Sequence, residues 1–410
     1  MARLSDRIDE LTAWLQQIGL EGADGPTILE GLCARLRVLG IALDRAVAGY
    51  LVFHPLFDGV NFTWTSAERS AVRAAATRDD IFKHPSPFLM MQLTKVQELR
   101  YRLDNPDESL PFPFLSEIRE RGFRDYVALF EPFGGLAEDA LWPELPDGRA
   151  MHQGVTCSFA TRRGSGFDDD EITLMRGVRR ALALTIKVAA AHEMAETLLS
   201  AYLGRAPGQS VLRGEVRRGQ GRIIHALVWH SDLRGSTVLA ETSSADQYLA
   251  TLNAYFDCIV EAVAEQGGEV LKFIGDGVLA IFPFEAGTLD ARRVARRSLV
   301  AARHALDRVA TENYKRSAGG LAPIECGIAL HAGDVMFGNV GAAQRLDFTV
   351  MGSAVNEAVR LETLCKLLRV PVVVSETVRR LADFDLKPLG CHLLTGVGRE
   401  MNVFAHTNAT

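Results

Sequence analysis

The chain has 410 residues, enough for two to three domains of ordinary size. Hydrophobic residues make up 48% and charged residues 23%, which excludes a disordered, collagen-like or disulfide-scaffold protein. A net charge of −6 provides no global basic field, so neither nucleic acid nor anionic lipid is an expected partner. The six cysteines (Cys33, Cys157, Cys258, Cys326, Cys365, Cys391) show no CxxC pair. They read as reduced thiols of a cytoplasmic protein without structural zinc.

Charges run through the opening MARLSDRIDELTAWL, so it does not read as a signal peptide. Leu4, Ile8, Leu11, Leu15 and Ile18 share one face of an amphipathic helix, taken as a unit over 1–25. From 26 to 195 the chain is aromatic-rich and mixed, with strand-like runs (Val47–Phe53, Val155–Ala160) among helical stretches; this predicts an α+β domain. Phe53, Phe57, Phe62, Trp64, Phe82, Phe88 and Tyr101 suit either a ligand pocket or an ordinary core. His84, His152 and Cys157 are haem- or metal-type residues without a motif.

Asp168 opens a long helix, with Ile172, Met175, Val178, Leu182 and Ile186 near helical spacing. Its most apolar window, Ala181–Ala201, is interrupted by Lys187, His192, Glu193 and Glu196, so no membrane span is expected. The Gly/Arg-rich stretch that follows reads as a hinge, giving a connecting helix and hinge over 170–220.

From 221 to 410, strands and helices alternate as in an α/β sandwich. The apolar run Ile223–His230 reads as a buried strand delivering Asp232 at its end, followed by the small polar turn Leu233-Arg234-Gly235-Ser236-Thr237. A helix with Leu249, Leu252, Phe256, Ile259 and Val263 on one face ends at Gly267-Gly268. EVLKFIGDGVLAIF then reads as a hairpin with Asp276 at its tip. Either aspartate alone suits a turn or cap. Two at strand ends that meet in space suit a divalent cation whose remaining ligands are phosphates. The arginines of 291–308 read as the solvated face of a helix whose Val294, Leu299, Ala302 and Leu306 turn inward, and His331 as a packed or interface histidine.

HSDLRGST, LKFIGDGVLAIF, ECGIALHAGDVMFGNVG and DFTVMGSAVNEAVRLE occur in that order, and from about Arg222 to Phe404 the chain resembles the catalytic domain of class III adenylate and guanylate cyclases. The resemblance implies a ferredoxin-like α/β sandwich in which Asp232 and Asp276, with the Leu233 carbonyl, hold two Mg²⁺ or Mn²⁺ ions. It further implies that Lys272 and Thr349 read the purine, that Asn356 orients the ribose, and that Arg360 stabilises charge developing on the α-phosphate. Ser236 and Thr237 fall in the triphosphate turn, where Ser236 replaces the usual Phe. Thr395 falls near the place of a triphosphate lysine, a role that Arg399 is positioned to take over. Lys272 with Thr349 implies ATP.

Lys272 lies about 13 Å along an extended strand from Asp276, which agrees with the family's head-to-tail homodimer, where each site draws on both protomers. Ser353 is read as the cap of the Asn356 helix, which places Asn356 and Arg360 on one face. SFATRRGSGFDDDEITLMRGVRRALAL resembles the end of a GAF-type sensor domain, which implies regulation by a small-molecule or protein signal. The other readings are a guanylate cyclase and a catalytically silent nucleotide-binding module.

Overall fold

The computed structural model describes residues 3–52, 57–105, 109–133, 152–342, 344–381 and 384–406. Within it the chain falls into two units, Met1–Leu198 and Leu199–Thr410.

The first unit runs α1 (Leu4–Leu20), α2 (Gly25–Val38), β1 (Arg45–Leu51), β2 (Gly59–Thr65), β3 (Ala71–Ala76), α3 (Arg78–Lys83), α4 (Pro87–Thr94), β4 (Glu98–Arg102), α5 (Pro113–Glu120), β5 (Asp125–Pro132), β6 (Gly154–Thr161) and α6 (Asp169–Leu203), the last continuing past the boundary. Its strands form an antiparallel sheet in the order β3-β2-β1-β6-β5-β4. Because strand side chains alternate, Ala46, Ala48, Phe62, Trp64, Val127, Leu129, Cys157 and Phe159 pack against α1, α2 and α6. The intervening Tyr126, Ala128, Phe130 and Ala160 meet α4 and α5 on the opposite face. The N-terminal helix is therefore part of this core through buried Leu11 and Leu15. Helix α6 starts as the sequence implies: Asp168 accepts from the Glu171 amide at 2.9 Å, and Glu171 accepts from the Asp168 amide at 2.9 Å. Cys157 is buried in the core, which pushes its thiol up to about 12. Phe53, placed in the first strand by its sequence, lies outside the described residues.

The second unit runs α7 (Arg205–Leu212), β7 (Gly221–Leu233), α8 (Ser236–Thr242), α9 (Ala245–Glu265), β8 (Glu269–Ile274), β9 (Gly277–Phe284), α10 (Leu289–Ala318), β10 (Cys326–Ala342), β11 (Arg345–Met351), α11 (Ser353–Leu368), β12 (Val372–Ser375), α12 (Glu376–Leu381), β13 (Leu386–Leu393) and β14 (Glu400–His406). Its sheet has the order β13-β14-β12-β10-β7-β9-β8, with β11 paired to β10. Leu227, Trp229, Ala280, Phe282, Ile328 and Leu330 pack on one face against α9 and α10. Ala226, Val228, Leu279, Ile281, Val335 and Phe337 face the other way, towards α11 and β11. The mixed α+β class read from the sequence is the observed one.

Three local expectations need correction. The Gly/Arg-rich stretch after α6 includes a helix, α7, which Gly204 at φ +91 starts and in whose first turn Pro207 needs no amide partner. The strand toward Asp232 is buried only from Ala226, and Ile223 is 69% exposed. Ser353 is the first residue of α11, not its cap; Gly352, at φ +137, holds the cap position without a side-chain hydrogen bond. The helices ending at Gly267-Gly268 and carrying the 291–308 arginines form as expected, with Leu252, Ile259, Val263, Val294, Leu299 and Ala302 buried, but Leu249, read onto the apolar face, is 55% exposed and Leu306 is only partly buried. Among the described residues, no helix is long and apolar enough to cross a membrane.

Candidate active site

The end of β7 and the β8–β9 hairpin bring the two aspartates together. Asp232 registers with Gly277, and Ile274 pairs with Gly277 across a two-residue turn, so Asp276 stands at the hairpin tip beside Asp232. Gly275 takes φ +63 in that turn, a conformation that glycine adopts at little cost. The Leu233 amide donates to the Asp276 carbonyl at 3.4 Å, tying the strand end to the tip. A Cβ at Gly277 would lie 3.1 Å from the Ser231 carbonyl oxygen and 3.3 Å from Asp232 Oδ1. The glycine thus keeps the space beside the carboxylate open. Beneath the strand, buried Tyr255 donates from its hydroxyl to Ser231 Oγ at 2.9 Å.

The electrostatics of the pair are unfavourable by themselves. Burial, and then the charge of Asp276, push Asp232 up from 3.8 to about 6. Glu362 is pushed up to about 7 by burial and then by Asp232. Arg234 and Lys366 oppose that rise, and Arg234 is fixed by donating to the Val370 carbonyl at 2.7 Å and the Cys365 carbonyl at 3.3 Å. Two carboxylates beside a backbone carbonyl form a hard oxygen donor set, and their mutual repulsion is what a divalent cation relieves. The residues present therefore fit Mg²⁺ or Mn²⁺. Among the described residues, no group of three or more His, Cys, Asp or Glu side chains is arranged to hold a metal.

Helix α8 starts at Ser236 after Gly235 at φ +71, placing Ser236 and Thr237 in its first turn just beyond Leu233. Lys272, on β8, donates from Nζ to Asp347 Oδ2 at 2.7 Å. Thr349, two residues along β11, is 3% exposed, and its hydroxyl is buried without a partner. Asn356 and Arg360 are both exposed, four residues apart on α11. Arg399 donates to Glu357 Oε2 at 3.0 Å, which ties the segment carrying it to α11. His331 is buried as expected, with Nε2 3.2 Å from Glu357. The structure thus brings Asp232 to Asp276, Lys272 to β11, and Arg399 to α11.

Sequence reading missed Glu362, Arg234 and Lys366. Only Glu362 had a signal: it follows Ala358 by four residues, which puts a carboxylate on the buried face of α11.

The fold and site define an α/β sandwich with a paired-carboxylate centre. Residues 222–407 match the family model of the adenylate and guanylate cyclase catalytic domain. An adenylate cyclase of Anabaena cylindrica is 35% identical over 150 residues, covering 36% of this chain and 29% of that protein. Adenylate cyclase 1 of Rhizobium meliloti is 31% identical over 177 residues, covering 42% and 26%. The chain therefore spans less than a third of the length of either relative. Among solved structures, the guanylyl cyclase Cya2 is similar at 26% identity and TM-score 0.40, covering 45% of this chain and 92% of that one. The adenylyl cyclase CyaB from P. aeruginosa is similar at 25% identity and TM-score 0.39, covering 45% and 95%.

Proposed function

We propose that the protein is an adenylate cyclase that converts ATP to 3′,5′-cyclic AMP and pyrophosphate in a head-to-tail homodimer governed by its N-terminal unit. The observation that carries this reading is the meeting of Asp232 and Asp276 at one strand end and hairpin tip, within a segment that matches the cyclase family model. Two Mg²⁺ or Mn²⁺ ions, when bound by Asp232, Asp276 and the Leu233 carbonyl, supply charge neutralisation for the triphosphate and acidify the ribose 3′-hydroxyl.

The chain's own groups do the rest. Asn356 holds the ribose so that its 3′-oxygen faces the α-phosphorus, and positioning of this kind removes much of the barrier. The 3′-oxygen forms the new bond to phosphorus as the bond to the pyrophosphate oxygen breaks, and the hydroxyl proton leaves to solvent. Arg360, permanently charged and planar, stabilises the negative charge that builds on the α-phosphate oxygens. Ser236, Thr237 and Arg399 hold the triphosphate, and Lys272 with β11 reads the base. Asn356 and Arg360 are exposed in the single chain, as groups that serve a site completed by a second protomer must be. Helix α6 leaves Leu184 57% and Val188 51% exposed, a face suited to pairing with its twin and passing a signal from the first unit.

Turnover of ATP and of GTP by the full chain, with Mg²⁺ or Mn²⁺ and beside Asp232→Ala, tests the reading. Cyclic AMP that disappears in the variant supports it. Cyclic GMP alone identifies a guanylate cyclase, and nucleotide binding without product identifies a silent module.

A further inference from the structure

On the cyclase reading above, we infer that Glu357 is the positioning residue that sets Asn356, Arg360 and Arg399 relative to one another. Glu357 is 7% exposed, on the buried side of α11. Two side chains from different elements meet its carboxylate there. Arg399, in the β13–β14 connection, donates to Oε2 at 3.0 Å and to Oε1 at 3.4 Å. His331 of β10 places Nε2 3.2 Å from the same Oε2. Asn356 precedes Glu357 directly on α11, and Arg360 follows three residues later, on the adjoining part of the helix surface. One buried carboxylate therefore adjoins three of the groups assigned to substrate.

The packing of α11 leaves a task for such a residue. The first half of the helix meets the sheet through Ala354 and Ala358, both buried. Gly333 makes room for that approach, since a Cβ there would lie 2.9 Å from the Ala354 Cβ. Methyl groups let backbones close together but resist rotation of the helix poorly. The larger anchors, Leu361 and Leu364, come only after Arg360. At the outer radius of a helix, roughly 5–6 Å, a turn of about 10° carries a side-chain tip about 1 Å. A displacement of that size costs about 10²-fold in rate. The contacts of Glu357 with β10 and with Arg399 are directional, and they fix the rotation that the alanines leave free. Stability alone favours an aliphatic residue here, because a buried carboxylate must recover its lost hydration from its partners. Burial holds His331 down to about 4, so its ring is neutral at assay pH, and Nδ1 is enclosed without a partner. The positive charge beside Glu357 therefore comes from Arg399. Its side chain is 64% exposed and keeps further donors for a triphosphate.

The experiment measures kcat and KM of the full chain with Mn²⁺, for whichever of ATP and GTP it converts, below the thermal transition of every variant. It compares Glu357→Leu and Glu357→Gln in the wild type and in Asn356→Ala and Arg360→Ala backgrounds. Glu357→Leu should lower kcat roughly 10- to 100-fold, with a smaller change in KM. Glu357→Gln keeps an acceptor oxygen for Arg399 and should retain most of kcat. In the two backgrounds, where a positioned group is already gone, Glu357→Leu should cost much less than in the wild type. A merely structural carboxylate would cost the same factor in every background. Glu357→Met makes the same comparison where leucine prevents folding. Wild-type kcat in Glu357→Leu, a Glu357→Gln as slow as Glu357→Leu, or an undiminished loss in both backgrounds overturns the inference. In a chain without turnover, where only the cyclase reading fails, ATP dissociation constants with Mn²⁺ decide: Glu357→Leu should weaken binding in the wild type and not in Asn356→Ala. A chain that neither converts nor binds nucleotide overturns both.

Discussion

Replacing Asp232 by Asn should make the protein more stable and inactive, and the gain should depend on pH. Asp232 is raised from 3.8 to about 6 by burial and by Asp276, so at neutral pH the fold holds a carboxylate that is destabilised relative to the unfolded chain. Two pH units correspond to a ceiling of about 3 kcal/mol; discounted for a partly open site, about 1.5 kcal/mol remains. The direction follows from linkage: for an acid raised on folding, the penalty is absent below the unfolded value, grows as pH rises towards 6, and is complete above it. Asparagine keeps the shape and removes the charge. The transition that responds to added Mn²⁺ should therefore rise by about 3–6 °C at pH 8 in chelator, on the usual scaling for a domain of this size. At pH 5, between the unfolded and folded values, only about half of the gain should remain, and below pH 4 most of it should be gone. Scanning calorimetry at the two pH values, with cyclic nucleotide production measured alongside, makes the comparison. A lower transition at pH 8, or an equal gain at pH 5 and pH 8, would refute the view that Asp232 stores repulsion for a cation.

Arg360→Ala should lower kcat by about 10²–10³, with a smaller change in KM, since its charge acts on the transition state; steady-state kinetics at saturating metal separate the two. Gly277→Ala places a methyl 3.1 Å from the Ser231 carbonyl and 3.3 Å from Asp232 Oδ1. It should cost about 1–2 kcal/mol of stability and more than tenfold in Mn²⁺ affinity, whereas Gly275→Ala, with open space around it, should cost about 1 kcal/mol and spare the affinity, both read by melting and metal titration. Insertions within Leu198–Leu203 should change cyclase activity without altering thermal unfolding, and activity indifferent to them would refute coupling through α6.

The meeting of Asp232 and Asp276 was legible because it is built locally. An apolar strand ending in Ser231-Asp232 and a hairpin with Gly-Asp-Gly at its turn encode their geometry within a few residues, and one register brings the tips together. What stayed hidden depends on distant packing. Glu362 reaches the aspartates only because α11 lies across the sheet, and nothing near Asp232 in the chain announces it. The Lys272–Asp347 pair joins β8 to a strand that is hydrogen-bonded to β10 instead, so no hairpin pattern could foretell it. Ser353 misled because a serine before a helix reads as a cap; the backbone chose Gly352, whose φ of +137 suits the sharp exit from β11. Ile223 misled in a similar way, since an apolar run reads as buried and its outer end is not.

The central claim is a composite site in which the aspartates of one protomer act with Asn356 and Arg360 of another. It is tested most directly by mixing two inactive variants, Asp232→Ala and Arg360→Ala, after allowing subunits to exchange. A mixed dimer carries one site with both defects and one with neither, so random pairing should return about a quarter of wild-type cyclic AMP production. Mixtures that stay as inactive as their parents, while exchange is shown to occur, would contradict the account and place all the catalytic groups within a single chain.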